Sequence, residues 1–378
     1  MEIKQVYQFV NDAVEEVIGD SVLLQEDLSN VVDVGTAIFN GQAFDAYVRS
    51  LVNHIGKVIF VNRPYRGSAP SVLMDAWEYG SVVEKITSEM PEAVENESWD
   101  LVDGQSYDPH VFHKPVAEAK FFNKMTTFEI EASITEMQVK QSFSSATQLN
   151  AFVSMIFNEI DKAMTVRNDA LIMRTINSMI AETIKDNNSA RAVNLLSLYN
   201  TEIAPATALT AAKAIYTPEF IRFASYKIGL YTDRLTRMST LFNIGGKQRF
   251  TPKDLQHIVM LSEFATAADV YLQSDTFHDQ YTKLANAERV PFWQGSGTGY
   301  AFANTSAINV KPASGGDAIQ ASGILCVIFD RDALGVMNNN QRVTTQWNAK
   351  AEFTNYFYKK DARYFNDLNE NFIVFYLA

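Results

Sequence analysis

One uninterrupted helical pattern in the middle of the chain constrains the fold more than any other feature. Residues 144–185 contain no Gly or Pro, and Ser145 followed by Gln148 forms a capping pair that can start a helix. Apolar side chains recur there at steps of three and four, which places them on one helix face: Leu149, Phe152, Val153, Ile156, Ile160, Ala163, Met164, Val166, Ala170, Met173, Ile176 and Ile180. The pattern predicts one helix roughly 60 Å long at about 1.5 Å per residue. Such a beam suits an elongated module or a shell.

The composition excludes several classes of protein. With 47% apolar residues, the 378-residue chain can bury a large core. Its net charge of -12 and lack of a basic run argue against wrapping nucleic acid. The only cysteine, Cys326, lies in an apolar run, so a disulfide is excluded and a buried thiol in a reducing compartment is predicted. We find no signal-peptide pattern and no apolar run near the roughly 20 residues that span a bilayer.

The segment before the helix indicates an arm followed by a projecting hairpin. Residues 1–56 have the pattern of short amphipathic helices. Residues 79–85 are β-prone, residues 90–120 form a polar, acidic stretch, and residues 128–134 alternate strictly as a half-exposed strand does. A loop of about 30 residues is unusual in a compact domain. We therefore interpret this segment as a long β-hairpin that projects just before the long helix, with residues 79–85 as its outgoing strand and residues 128–134 as its returning strand.

The segment after the helix has a mixed pattern. Residues 186–190 are a polar break, residues 206–215 and 264–272 are predicted helices, and residues 274–284 can continue the second. The sequence Thr251-Pro252-Lys253-Asp254, before Leu255, Ile258 and Val259, predicts a helix start. Residues 218–236 gave no clear assignment. The glycines in residues 295–299 and 314–316 indicate turns.

The C-terminal segment is predicted to be mostly strand. Residues 324–329 are an unbroken apolar run, typical of a buried strand, and residues 330–336 form a turn or short helix after it. Residues 344–358 alternate, with Ala349, Ala351 and Phe353 opposite their polar neighbours. Residues 372–377 are a closing strand that we expect to be paired, since a loose apolar end would aggregate.

The candidate binding motifs are weak. His110 and His113, with Asp108 nearby, have a spacing that could hold a metal ion, but no further ligand cluster accompanies them. Residues 295–299 superficially resemble a phosphate loop but lack its Gly-Lys-Ser/Thr ending. The acidic residues 89–108 lack the ordered spacing of a calcium loop. We predict no metal site and no cofactor.

Catalytic motifs are equally poor. The chain contains neither a Gly-x-Ser-x-Gly elbow nor a His-Glu-x-x-His helix. None of the five histidines has a suggestive neighbourhood: His54, His110, His113, His257 and His278. Glu129, Glu131 and Glu136 could be imagined as paired acids, but strand alternation makes the first two a solvated face. We predict no catalytic residues and no enzyme; an acidic hydrolase with an unrecognised site is the alternative from another class.

The order of elements resembles the α+β fold of tailed-bacteriophage major capsid proteins, which bacterial encapsulins share. The most specific likeness is the apolar run ending in Asp330-Arg331-Asp332-Ala333-Leu334. The closing residues 343–377, with Thr345, Trp347 and Asn348 and the run 370–375, are similar to the family's terminal strands.

The resemblance implies four regions. They are an N-terminal helical arm (residues 1–56), an extended β-hairpin loop with its flanks (57–140), a peripheral domain with a spine helix (141–187 and 324–378) and an axial domain (188–323). In the family the extended loop reaches over a neighbouring subunit, and the axial domain meets its copies around a capsomer axis.

The resemblance also implies a function. The chain is expected to self-assemble into hexamers and pentamers of an icosahedral tailed-phage head enclosing double-stranded DNA, with an encapsulin-type compartment shell as the alternative. Expected partners are other copies of itself, a scaffolding protein, a portal protein and, as a further option, decoration proteins. Packaged DNA is contacted non-specifically at most, and no membrane is involved. The expected location is the virion capsid, assembled in the host bacterial cytoplasm.

Covalent crosslinking between subunits occurs in some members of the family, between a Lys and an Asn. Lys85, Lys114 and Lys120 are candidates on the hairpin, and residues 338–340 supply asparagines near the end of the chain. Nothing in the sequence specifies such a site.

Overall fold

A computed structural model describes residues 11–12, 14–15, 70–74, 83–135, 146–273, 287–293 and 307–378 of the chain. Several expectations lie outside these residues: nearly all of the helical arm of residues 1–56, the beginning of the hairpin, the cap at Ser145, and residues 274–284 and 295–299. For residues 134–135, 146–159, 161 and 339–340, and for a few others, only the backbone is described.

The described elements alternate between strand and helix along the chain. The strands before the long helix are β1 (Leu73–Met74), β2 (Val83–Ser88), β3 (Ala117–Phe122) and β4 (Met125–Thr135). There follow α1 (Ala146–Asp186), β5 (Ala192–Asn194), α2 (Leu195–Glu202), α3 (Ala211–Ala214), α4 (Pro218–Leu235), β6 (Gln256–Leu261), α5 (Ser262–Gln273) and β7 (Glu288–Val290). The last strands are β8 (Ile308–Val310), β9 (Ile319–Ala321), β10 (Ile324–Asp330), β11 (Leu334–Asn348), β12 (Phe353–Asn366) and β13 (Phe372–Tyr376).

The predicted long helix is confirmed as α1, which has 41 residues. It ends at Asp186, and the next residue, Asn187, has a left-handed φ of +51°, a conformation that asparagine tolerates. The prediction of a single apolar face is wrong for its second half, where most residues between 171 and 183 are buried. The reason is that α1 lies between two sheets, contacting β11, β12 and β4 of one and β13 and β5 of the other.

Two buried threonines within α1 bond to the helix itself. The hydroxyl of Thr175 donates to the carbonyl of Leu171 at 2.8 Å, and that of Thr183 donates to Met179 at 2.9 Å. A hydroxyl can satisfy the carbonyl four residues earlier without leaving the helix. These threonines therefore fit between the sheets without an unpaired polar atom at the hydroxyl.

A five-stranded sheet with the order β5-β13-β10-β6-β7 forms one side of the core. All residues of β10 are buried, which confirms the strand predicted for residues 324–329. The closing strand is confirmed as β13, which lies inside the sheet, antiparallel to β10 and parallel to β5. Phe329 stacks on both Phe372 and His257 with ring centroids 5.5 Å apart.

A four-stranded sheet with the order β1-β11-β12-β4 forms the other side. The expectation of one alternating strand over residues 344–358 is wrong, because β11 ends at Asn348 and β12 begins at Phe353. The side-chain oxygen of Asn348 accepts from the backbone of Lys350 and Ala351, and asparagine favours a turn in this way. Ala349 and Ala351 therefore belong to the turn.

The hairpin before the long helix has a different returning strand from the one expected. β2 pairs with β3, whereas β4 pairs with β12 in the large sheet. The half-exposed pattern of residues 128–134 is confirmed where side chains are described, with Phe128 buried and Glu129 and Glu131 exposed. That apolar face needs a core, which the sheet supplies and an isolated hairpin does not.

Between α1 and β10 the structure differs from the predicted elements. The helix predicted from Thr251 is absent: residues Lys253–Leu255 form one 3₁₀ turn that leads into β6. Thr251 is buried, and its hydroxyl donates to Asp330 at 2.7 Å instead of capping a helix. The unassigned residues 218–236 form α4, with Pro218 in its first turn.

Of the other predicted elements, some are confirmed and some are shorter than expected. α5 confirms the helix predicted for residues 264–272, and the turn at residues 314–316 is confirmed by positive φ at Gly315 and Gly316. The helix expected over residues 206–215 is shortened to α3, and α2 was not predicted. Residues 331–333 form the expected turn, but β11 begins directly after it at Leu334.

A projecting arm as the candidate functional site

The feature that stands apart from the core is the hairpin of residues 83–122, here called the arm. β2 and β3 pair from Val83 with Phe122 to Ser88 with Ala117. The backbone of Glu89 then donates to the carbonyl of Val116 at 2.9 Å, which extends the ladder by one step. Residues 89–116 form the loop, and every loop side chain that the structure describes is exposed.

Large apolar side chains of the arm are exposed to an unusual degree. Trp99 is 97% exposed and Phe112 is 83% exposed. Other exposed apolar residues of the arm are Ile86, Met90, Val94, Leu101, Val102, Tyr107, Val111, Val116 and Phe121. A concentration of apolar surface like this marks a contact with another molecule.

The arm loop is also strongly acidic. Residues 89–116 contain seven carboxylates and one lysine, so their formal net charge is 1 − 7 = -6 with histidine neutral. An acidic surface with apolar side chains fits a partner surface that offers both apolar contacts and basic groups.

Charged side chains join the base of the arm to the body. Lys85 of β2 donates to Glu370 at 2.6 Å and to Asp367 at 3.1 Å, and Lys120 of β3 donates to Asp367 at 2.7 Å. Arg249 also reaches Glu370, at 3.3 Å. The two carboxylates lie between β12 and β13, so the arm is anchored at the segment that connects the two sheets.

Burial and charge act in opposite directions at this cluster. Burial alone would raise the pKa of Asp367, but the hydrogen bond from Lys120 and the charge of Lys85 outweigh it and hold the pKa below 3.8. Burial alone would lower the pKa of Lys85, but the hydrogen bond and charge of Glu370, with Asp367, raise it above 10.5. Asp367 and Lys85 are therefore both charged throughout the neutral range.

The residues considered for metal binding are not brought together into a site. Asp108, His110 and His113 are exposed on the arm loop, and Asp108 accepts a hydrogen bond from the backbone of His110 at 2.8 Å. Within the described ranges, no group of three or more potential metal ligands occurs.

The residues considered for catalysis have structural surroundings. Glu129 pairs with Lys359 across the strands at 3.0 Å, and Glu131 is exposed. His257 is half-buried, and burial lowers its pKa. Burial raises the pKa of the Cys326 thiol well above its ordinary range. His54, His278 and Glu136 lie outside the described residues.

The lysines considered for crosslinking differ in surroundings. Lys85 and Lys120 are held in the ion pairs at the base of the arm, whereas Lys114 is exposed. Among the described contacts, none joins these lysines to Asn338.

Asp367, Glu370 and Arg249 were missed in the sequence. Glu370 is 285 residues from Lys85 in the chain, so no local pattern connects them. Acidic residues in a short polar gap between two apolar strands were the available signal, and they could equally have been solvated turn residues.

The comparison with protein families decides the identity. The family model of the Phi29-like phage major capsid protein matches residues 9–376. The chain belongs to this family. As a Phi29-like phage major capsid protein, it is a structural protein of the virion capsid that associates with copies of itself, and the match favours a phage capsid over an encapsulin shell.

Solved capsid-related structures were compared with this capsid protein, and one of them is similar at the level of the fold. A chain from the structure of the head fiber and inner core protein gp22 of native bacteriophage P68 has 8% identity and a TM-score of 0.53, covering 84% of this chain and 86% of that chain. A chain from the capsid structure of Staphylococcus phage Andhra has 10% identity and a TM-score of 0.49, covering 84% and 86%. The P68 likeness supports the mixed helix and strand fold. No curated protein sequence is similar enough to count as a match.

In the described part of the chain, no helix is both long and apolar enough to cross a bilayer.

Proposed function

We propose that this capsid protein assembles into hexamers and pentamers that close an icosahedral phage head around double-stranded DNA. The observation that carries the proposal is the exposed apolar surface of the arm, together with the family match. A single subunit gains nothing from leaving Trp99 and Phe112 in water, because burying a large apolar side chain contributes about 1.5–3 kcal/mol. A neighbouring copy gives those side chains a place to be buried.

In this proposal each of the regions expected from the sequence has its own role. The arm belongs to the extended loop of residues 57–140, which contacts the adjacent subunit. The peripheral domain of residues 141–187 and 324–378 contains α1 and both long sheet strands. Residues 188–323 form the axial domain, where exposed Tyr216 and Tyr226 offer aromatic surface for contacts around the capsomer axis.

The remaining partners follow from assembly of a head. A scaffolding protein, a portal protein and decoration proteins are the proposed partners, met in the cytoplasm of the host bacterium. DNA is held inside without specific contacts, because a net charge of -12 disfavours a tight grip on phosphates. No catalytic step is assigned to the chain.

Electron microscopy of the purified full chain tests the proposal. Closed shells with fivefold and sixfold clusters of subunits are the expected result. Subunits that stay monomeric under every assembly condition would refute it. Shells that retain a co-purifying enzyme when isolated from the host, in place of DNA, would favour the encapsulin-type alternative.

A further inference from the structure

We propose that Lys85, Lys120, Asp367 and Glu370 are positioning residues that fix the direction of the arm before a neighbouring subunit is met. The proposal concerns the isolated subunit. Only the purpose of a fixed direction, which is to present the arm to a neighbour, rests on the proposed function.

Few contacts other than this cluster hold the arm to the part of the body that the structure describes. Among the described strands, β2 and β3 pair only with each other, and a two-stranded hairpin alone is marginally stable in water. At its base Phe122 packs against Phe365, with ring centroids 5.1 Å apart. The direction of the arm therefore depends largely on its charged contacts.

The register between β2 and β3 lets Asp367 contact Lys85 and Lys120 at the same time. Lys85 and Lys120 lie directly opposite each other in the hairpin, where two like charges disfavour pairing. Asp367 sits between them, with one carboxylate oxygen bonded to each lysine at 3.1 and 2.7 Å. The same carboxylate therefore relieves repulsion within the arm and ties both of its strands to the body.

Burial makes this contact hard to release. The side chain of Asp367 is 3% exposed and that of Glu370 is 9% exposed. Lys85 also donates to the carbonyl of Asp332 at 3.3 Å, so its three donors have partners in the body. If the arm swung away, Asp367 would lose both of its lysines and Glu370 would keep only Arg249, and removing the cations of a buried carboxylate is strongly unfavourable.

A second, weaker brace lies farther along the arm. Lys247 reaches Glu89 and Glu118, both at 2.9 Å. These groups are substantially exposed, and exposed ion pairs contribute little. We therefore assign the direction of the arm to the buried cluster and not to this brace.

Distances between two spin labels on the unassembled full-length subunit test the proposal. Ser106, on the exposed loop, and Thr266, exposed on α5, are replaced by cysteine for labelling, while Cys326 is buried and does not compete. The double variant Asp367→Asn with Glu370→Gln removes both charges at nearly constant shape. Glu84→Gln is the matched control, since Glu84 is an exposed acid on the same strand as Lys85.

A narrow distance distribution is expected for the parent and for the Glu84→Gln control. The double variant is expected to give a distribution at least about twice as wide, because its carboxamides hold the lysines less strongly than carboxylates. A folded double variant with the parent's width and mean would overturn the proposal. If the double variant does not fold, Lys120→Met, which removes one partly exposed ammonium group, is expected to broaden the distribution, and an unchanged width there would also overturn it.

The same samples separate this proposal from the proposed function. If the parent subunit forms no shells but its arm is narrow and broadens in the variant, head assembly fails as a function and the positioning cluster stands. If shells form and the distribution does not change, the function stands and the cluster does not position the arm.

Discussion

The second half of α1 and the arm both contain large apolar side chains, but these are buried in α1 and exposed in the arm. Ile176, Met179 and Ile180 of α1 are fully or almost fully buried by the two sheets of their own subunit. Trp99 and Phe112 of the arm are larger and almost fully exposed. The difference teaches that apolar content alone does not separate folding from assembly. What separates them is whether the subunit itself covers the side chain.

The largest expected effect comes from placing a charge in the covered region. Ile176→Asp should abolish folding, because an unpaired buried carboxylate costs about 5 kcal/mol or more, comparable to the whole stability of a domain. Solubility and far-ultraviolet circular dichroism measure the outcome. Ile176→Val, which costs about 0.5–1.5 kcal/mol, is the control that should remain folded.

A matched pair of tryptophans sharpens the comparison. Trp293 is fully buried and donates from Nε1 to the carbonyl of Ile324 at 2.7 Å, whereas Trp99 is exposed. Trp293→Ala should lower the free energy of unfolding by about 3–5 kcal/mol. Trp99→Ala should leave the melting temperature of the free subunit unchanged and reduce the yield of shells.

The contrast between buried and exposed apolar residues would be contradicted if Trp293→Ala and Trp99→Ala had the same effects on subunit stability and on assembly. Thermal melting of free subunits and light scattering during assembly provide the two readouts. A destabilised Trp99→Ala subunit would mean that the arm contributes to folding of its own chain.

Charge reversal on the arm has a smaller expected effect. Replacing Glu92, Glu95, Asp100 and Asp103 by lysine should leave the subunit folded, since exposed substitutions usually change stability by about 0.5 kcal/mol or less. The rate of assembly at low salt should fall by about tenfold or more if these charges steer association. At about 1 M salt, where charges are screened beyond roughly 3 Å, the rates of parent and variant should converge. Equal rates at low salt would contradict the steering.

The smallest effect is a pH dependence at the base of the arm. Because the pKa of Asp367 is held below its ordinary 3.8, its contribution to stability is complete above that pH and is lost as pH falls through the lowered pKa. The difference in melting temperature between the parent and Asp367→Asn should be constant near neutral pH and shrink below about pH 3.8. A melting-temperature difference that grows in acid would show that the pKa of Asp367 is raised by folding and not lowered.

The elements that sequence reasoning found are those with long or strongly apolar patterns. The 41 residues of α1 and the buried run of β10 were predicted because local spacing alone defines them. The turn at Asn348 was missed although its hydrogen bonds are local, because the alternation of residues 344–358 continues across it. The start of β6 was missed because it depends on a partner elsewhere. Thr251 carries a helix-capping signal, but its hydroxyl is committed to Asp330, 79 residues away.

In the candidate site, too, features with a local sequence pattern were predicted and contacts between distant residues were not. An acidic, projecting hairpin was evident from the composition of residues 90–120, although its returning strand was placed too late. The pairing of β2 with β3 was missed because the first residues of β3 are Ala, Glu and Lys, which have a low preference for strands. The contacts of Asp367 and Glu370 with the arm join residues more than 240 positions apart and could not be predicted without the fold.

Hydrogen exchange of residues 89–116, measured in free subunits and in assembled shells, tests most directly whether the arm is reserved for a neighbour. The account predicts fast exchange in the free subunit and clear protection in the shell, with α1 protected in both. Exchange of these residues that is equally fast in shells and in free subunits would contradict it.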